Sequence, residues 1–338
     1  MRASVAVLAD TGVRLWNLVF PHSQVLMHRT RVPYVHLDGL IAFSKRDRDG
    51  KVDAYLAAYL PDEVALIFFL GGDAVNAAML TPLGRFAVPI AQALQHIQGE
   101  AERAEIAFHQ APREQLAAMY AACVQAPVEP PLDVSSAEAV FRSLYERRWS
   151  GTLELISNGR VNYVQVRDGR FASGHFSDQR PDEMPGPYLA RLFTSVRPEP
   201  LPKVAARAVP GLAAMPLQAL PAMVAMLRHF VWGLTDLLEQ EHPGEGAKRA
   251  ERSRQRLLPQ LPILQHFGGP RGVESSDPLS EPSELAEALA TWSREVLDEM
   301  EIIDPGCAPR LVRDAGRERR FALNAVGFFE RLPWRIRW

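Results

Sequence analysis

Cysteine is almost missing from this chain: its 338 residues include two, Cys123 and Cys307, far apart in sequence. Two such residues cannot build a disulfide framework, and they suit a reducing compartment. Charge of one sign is missing as well, with 38 Lys plus Arg against 40 Asp plus Glu. The basic footprint of a nucleic-acid binder is therefore absent from the chain as a whole, and nucleic acid is disfavoured as a partner. Long apolar runs are missing too. Runs such as Val64 to Leu70 fall far below the roughly 20 residues a helix needs to span a bilayer. Met1 to Asp10 has one basic residue and an apolar stretch cut short by Asp10, a poor secretory signal. The expectation is a cytoplasmic chain with no membrane insertion.

The motifs of catalysis and metal binding are equally scarce. Nine histidines are scattered without a His-Glu-x-x-His pair or a histidine and cysteine cluster at zinc spacing. No Gly-x-Ser-x-Gly elbow is present. Gly71-Gly72-Asp73 and Gly268-Gly269-Pro270-Arg271-Gly272 lack the lysine and hydroxyl that follow a phosphate-cradling loop, so both are read as backbone reversals. Asp47-Arg48-Asp49-Gly50 resembles a calcium loop until its register is checked, for Lys45 and Leu56 fall where an EF-hand needs carboxylates. Cys123 sits on an apolar helix stripe as a small buried hydrophobe. We expect no catalytic, cofactor or metal site, and no cofactor.

What the chain does contain is one small module written twice. The first copy runs from Gly50 through Val64-Ala65-Leu66-Ile67-Phe68-Phe69-Leu70 to Gly72-Asp73 and Ala78. The second runs Gly151 to Ile156, Ser157-Asn158-Gly159-Arg160, Val161 to Val166, then Arg167-Asp168-Gly169-Arg170-Phe171-Ala172-Ser173-Gly174. Each reads as helix, glycine, strand, turn, strand, and a second turn leading to small residues, and such a repeat is a statement about architecture. Asn158-Gly159 between two alternating apolar segments supplies the positive φ angles of a two-residue hairpin. Period-two alternation puts Val161, Tyr163 and Gln165 on one face and Asn162, Val164 and Val166 on the other. Asp168-Gly169 reverses the chain again, with the aspartate expected to accept turn hydrogen bonds and Phe171 to anchor the next strand inward. In the first copy Pro61-Asp62-Glu63 marks a longer turn, Gly72-Asp73 the second, and the wholly apolar Val64 to Leu70 a strand covered on both faces.

The glycine after the helix, the hairpin, and the Asp-Gly turn before small residues resemble the PATAN domain of bacterial signalling proteins. In that family the last turn commonly reads aromatic-x-Asp-Gly-Arg, an apolar residue, then a small one. Val166-Arg167-Asp168-Gly169-Arg170-Phe171 fits that pattern, with Gly174 where alanine is commoner. The first copy offers glycine and aspartate in inverted order, with Ala78 at the small position. The resemblance, over about residues 36 to 125 and 135 to 240, implies a protein-binding regulatory module without catalytic activity. Relatives of that kind often adjoin a phosphate-accepting receiver domain, whose acidic pocket is missing here.

Along the chain, residues 1 to 35 read as short strands and a loop. Helices are expected at Val88 to Ile97, after Pro112, after Ser135 and Ser136, from Leu217 to Glu241, and from Ser283. Ala104 to His109 alternates like an edge strand, and Arg197 to Pro210 is proline-rich. Glu241 to Arg256 and Gly268 to Pro282 read as solvated linkers, with an apolar island at Leu257 to Phe267 that should dock on a neighbouring surface. At the C-terminus, Trp334, Arg335, Arg337 and Trp338 alternate cations with large aromatics. That strip either packs its tryptophans back on the protein, the reading preferred, or acts as a docking peptide or a nucleic-acid stacking strip.

The fold class that follows is α+β: two small modules with antiparallel hairpin sheets flanked by helices, plus a mainly helical C-terminal region. The expected domains are 1–126, 132–241 with the long helix at its end, a linker 242–282, and 283–338. The expected function is a non-catalytic regulatory adaptor that binds another protein, with homo-oligomers left open. The rival is a small-molecule sensor or enzyme with a pocket between the two modules.

Overall fold

The spacing of β-branched and aromatic residues fixes where strands run, and the turns fix how they pair. In the computed structural model, residues 13–43, 52–129, 131–179, 183–194, 204–268 and 276–338 are described. The Asp47–Gly50 turn, residues 1–10 and most of the Gly268–Gly272 reversal lie outside them. By its internal contacts the chain divides into two units, Met1–Pro216 and Leu217–Trp338.

The first unit runs β1 (Gln24–Arg31), α1 (Leu37–Phe43), β2 (Ala54–Tyr59), β3 (Val64–Leu70), β4 (Asp73–Thr81), β5 (Gly84–Val88), α2 (Ile90–Gly99), β6 (Glu105–Gln110) and α3 (Arg113–Val124). It continues with α4 (Ala137–Glu146), β7 (Gly151–Ser157), β8 (Arg160–Arg167), β9 (Arg170–His175), α5 (Pro185–Thr194) and β10 (Ala205–Val209). Two antiparallel sheets result, in the orders β1-β6-β2-β3-β4-β5 and β10-β7-β8-β9. In each, a meander is followed by a helix and a strand that returns to pair with the meander's first strand.

The strand register shows how alike the two meanders are. Leu70 pairs with Asp73 around Gly71-Gly72, and Arg167 pairs with Arg170 around Asp168-Gly169. Gly71 and Gly72 thus occupy the places of Asp168 and Gly169, which corrects the inverted order read from sequence: Asp73 opens the next strand. Beyond each turn the next pairs are Phe69 with Ala74 and Val166 with Phe171, after which each third strand carries one extra residue, Val75 or Ala172. Both are β-bulges, at the same distance from the turn.

Burial explains the strand compositions. Val64, Leu66 and Phe68 of β3 join one core, and Ala65, Ile67 and Phe69 the other, which is why this strand is apolar throughout. In β8, Val161 and Tyr163 face α3, whereas Val164 and Val166 face α4 and α5. α3 lies between the two sheets, with every residue from Gln115 to Cys123 buried. Small alanines at 117, 118, 121 and 122 let both sheets approach it. The layers of this unit are therefore α2, first sheet, α3, second sheet, and α4 with α5.

The N-terminal segment laces the two sheets together. Val19 N–H donates to the Gly159 carbonyl at 2.8 Å and Val161 N–H to the Val19 carbonyl at 2.9 Å, and a few residues later β1 pairs with β6. Leu15, Leu18 and Phe20 are buried on the way. Two expectations fail here. β6 is an interior strand between β1 and β2, not an edge, because the lacing segment supplies an outer neighbour from far away in sequence. Phe171 is 39% exposed instead of anchoring inward, because the bulge follows it directly. The proline-rich stretch before Pro210 contains a strand, β10, buried against β7.

The second unit is helical: α6 (Pro221–Glu241), α7 (Gly246–Leu257), α8 (Pro282–Ile303), α9 (Cys307–Gly316) and α10 (Arg320–Ala325). Val224, Leu227, Phe230, Val231, Leu234 and Leu238 of α6 share one core with Leu285, Leu289, Trp292, Val296 and Leu297 of α8. The long helix thus belongs to the helical unit rather than to the end of the second module. α7 occupies much of what the sequence suggested was a solvated linker. Its packing face is Gly246, Ala250, Ser253 and Leu257, mostly small residues with little hydrophobic signal. A Cβ at Gly246 would collide with the Leu238 backbone, so the glycine permits the close approach of α7 to α6. The apolar island docks as expected, burying Leu257, Leu264 and Phe267 in the same core. Among the described residues, no helix is long and apolar enough to cross a membrane.

Candidate docking surfaces

Of the turn residues singled out from sequence, Asn158, Gly159, Asp168, Gly169 and Gly72 sit at turns, whereas Asp73 is the first residue of β4. Asn158 and Gly159 have φ of 51° and 80°, Asp168 and Gly169 of 50° and 73°, and Gly71 and Gly72 of 57° and 81°. Successive positive φ angles are those of the hairpin turn that matches strand twist. The Asp168 turn is closed by backbone donors: Asp168 N–H donates to Ser150 Oγ at 2.8 Å and Gly169 N–H to the Trp149 carbonyl at 2.7 Å. The sequence expected the aspartate side chain to accept instead. A Cβ at Gly169 would stand 2.7 Å from the Leu144 carbonyl and strike the Tyr145 backbone. The turn therefore packs on the end of α4, and these residues serve the scaffold.

The strongest electrostatic feature was not singled out from sequence. Arg85 of β5 reaches across the α3 layer to Glu154 of β7, with Nη1 at 2.8 and 2.7 Å from the two carboxylate oxygens. Their side chains are 4% and 1% exposed. Beside them Arg207 of β10 donates to the Ala122 and Gln125 carbonyls at the C-terminus of α3. There the partial negative charge of the helix end complements the guanidinium. Burial lowers the pKa of Arg207, aided by Arg85. Burial also opposes the charge on Arg85, yet Glu154 more than compensates and raises its pKa. The Cys123 thiol is pushed up to about 12 by burial, which makes it inert as a nucleophile. The one available signal was polar Glu154 on the face shared with Ile156, pointing inward.

A second polar group, partly buried, is His109 of β6. Its ring lies 4.5 Å from that of His22 and 5.3 Å from that of Tyr55, centroid to centroid. Its Nδ1 is buried without a hydrogen-bond partner. Burial, then His22 and His28, pushes its pKa down to about 4. Among the described residues no group of three or more His, Cys, Asp or Glu is arranged to hold a metal ion.

The C-terminal strip divides its residues between inside and outside. Trp334 and Ile336 pack on the helical core, whereas Arg335 and Arg337 are exposed. The Trp338 ring rests 5.2 Å from Phe329 and remains 50% exposed. Arg320 lies 4.5 Å over Phe321, which is 76% exposed, and 5.9 Å from the Trp338 ring. Among the described residues Arg320, Arg335 and Arg337 form no ion pair. Trp334 thus packs back on the protein, while the arginines and Trp338 remain outward.

One cavity of the first unit lies next to the second Asp-Gly turn. It measures about 690 Å³ and is lined by Arg113 and Glu114 at the start of α3, Gln165 and Arg167 of β8, and Ala172 and Ser173 of β9. Leu70, Ala117, Val166 and the segment Leu212 to Met215 complete its wall. No protein-family model, curated protein or solved structure matches the chain.

Proposed function

We propose that this chain is a non-catalytic regulatory adaptor of bacterial signalling that acts in the cytoplasm by binding another protein. One observation carries it: Arg320, Arg335 and Arg337 stand outward beside exposed Phe321 and Trp338, without carboxylate partners among the described residues. Aromatic and arginine side chains are the usual anchors of protein interfaces, and unmatched cations select an acidic partner and speed its approach. The sandwich of two meanders around α3 supplies a scaffold for this, with Arg85 paired to Glu154 and Arg207 held by the carbonyls at the end of α3. Sequence resemblance to a protein-binding module family and two buried free cysteines support the same reading.

The test is capture of partners from native cytoplasm by the full chain, beside a variant carrying Arg320→Glu, Arg335→Glu and Arg337→Glu. A reproducible protein partner, reduced about tenfold by the variant and by raised salt, is the expected result. Recovery of no protein from the unaltered chain, or of nucleic acid alone, overturns the proposal. The cavity beside β9 favours a second reading, a small-molecule sensor, for which a co-purifying metabolite is the expected finding.

A further inference from the structure

The bulge of the first meander is already occupied, and its occupant indicates what the second one takes. In β4 the residue after the extra Val75 is Asn76, which is 2% exposed. Its side-chain amide donates to the Pro216 main-chain carbonyl, and neighbouring Met215 is buried in the core shared by α3 and both sheets. An irregular stretch of this chain, Leu212-Ala213-Ala214-Met215-Pro216, is thus held by the polar residue that follows the bulge. In β9 the corresponding residue is Ser173, after the extra Ala172. Gln165, its pairing partner, corresponds to Phe68, the partner of Asn76. Here, among the described residues, no segment fills the place, and a cavity of about 690 Å³, lined also by Leu212 to Met215, opens against Ala172, Ser173 and Gln165.

We propose that this cleft is a peptide-binding site that takes a short irregular segment of small apolar residues from a partner protein, the counterpart of residues 212–216 on the first meander. Ser173 Oγ reads a main-chain carbonyl of the guest, as Asn76 does for Pro216, while the Gln165 amide beside it donates to Thr152 Oγ1 at 3.2 Å. Ala172 contributes only a methyl group, so the floor stays open, and the volume is within the range of pockets that enclose ligands. Arg167 at the rim is exposed and forms no ion pair among the described residues, so an acidic residue flanking the segment completes the fit. Arg113 on the same rim is engaged by Asp53 at 2.7 Å. The proposal rests on the adaptor reading and adds to it a site distinct from the C-terminal arginines.

The probe is a synthetic peptide, Pro-Gly-Leu-Ala-Ala-Met-Pro-Glu-Glu, titrated into the full chain while the alanine and methionine methyl signals are followed by NMR. Saturable shifts at Ala172, Ala117 and Met215 are expected. Ala172→Trp should weaken binding at least tenfold, Ser173→Ala and Arg167→Glu several-fold each, with unfolding midpoints unchanged. Ala172 is exposed, so tryptophan there fills the cleft without entering the core; if that variant fails to fold, the other two carry the test. The arginine-reversal variant of the C-terminal strip should bind the peptide normally. The proposal is overturned if the peptide causes no saturable shift, if Ala172→Trp binds as tightly as the unaltered chain, or if a small metabolite shifts the same methyls while the peptide does not. A partner captured equally by the Ala172→Trp variant and lost on arginine reversal also overturns the cleft while the adaptor stands. Capture of nothing by the unaltered chain removes the adaptor reading itself.

Discussion

Replacing Glu154 by leucine isolates the buried charge between the two sheets. Glu154 is the carboxylate that faces Arg85, whose side chain is 4% exposed, and Arg207 is also nearly buried, at 5%. Removing one partner of such a pair costs about 3–5 kcal/mol, because the remaining ion keeps its desolvation penalty and loses its compensation. Native domains have about 5–15 kcal/mol in total, so the loss is a large fraction of the stability of the unit. With a urea slope of about 2–3 kcal/mol per molar, the unfolding midpoint should fall by about 1–2 M. The double variant Arg85→Met with Glu154→Leu removes both ions together and should recover most of that loss, since apolar replacement of a buried pair is commonly neutral or better. Arg207 stays tolerable in it because the α3 carbonyls of Ala122 and Gln125 still receive its guanidinium. Urea unfolding followed by far-ultraviolet circular dichroism measures all three. A midpoint shift below about 0.5 M for Glu154→Leu, or a double variant no milder than the single, would refute the assignment of this pair as the electrostatic tie between the sheets.

Gly169→Ala should cost at least about 2 kcal/mol, since φ of 73° strains any side chain and the added methyl strikes the Tyr145 backbone; Asp168→Gly, at φ of 50°, should be nearly neutral. Thermal unfolding of the two variants side by side checks the contrast. His109 binds its proton more weakly folded, at about 4, than unfolded, near 6.5. The unfolded state therefore holds the extra proton between those values, and stability present above pH 6.5 is lost as pH falls toward 4. His109→Phe should flatten that part of the stability profile, and an unchanged acid slope would show that His109 does not set it. Cys123, buried and pushed up to about 12, should resist thiol reagents until the chain unfolds; modification under native conditions at the rate of a free thiol would contradict its placement.

Local chemistry determined a definite part of this protein. Asn158-Gly159 and Asp168-Gly169 could be read as turns because positive φ is a property of two residues. The strand from Val64 to Leu70 was recognisable because a run with no polar face has to be covered twice. The helix stripes of α6 and α8 were visible for the same reason, each carrying its large apolar residues at helical spacing. The α+β class with two hairpin sheets and a helical C-terminal region followed from these signals.

Tertiary structure decided the rest, where the relevant partner is remote or the side chain small. α3 is buried on all sides only because a second sheet closes over it. β6 is interior only because residues 13–31 lace across both sheets. α7 is a helix whose packing face of glycine, alanine and serine leaves almost no hydrophobic trace. Arg85 and Glu154, 69 residues apart, carry no mutual signal in sequence, and neither does the correspondence of Asn76 with Ser173, which depends on where each bulge falls in its pairing. Dihedral preference and periodicity act over a few residues and are written locally; burial, charge pairing and strand register depend on which distant surfaces meet, and only the folded chain specifies that.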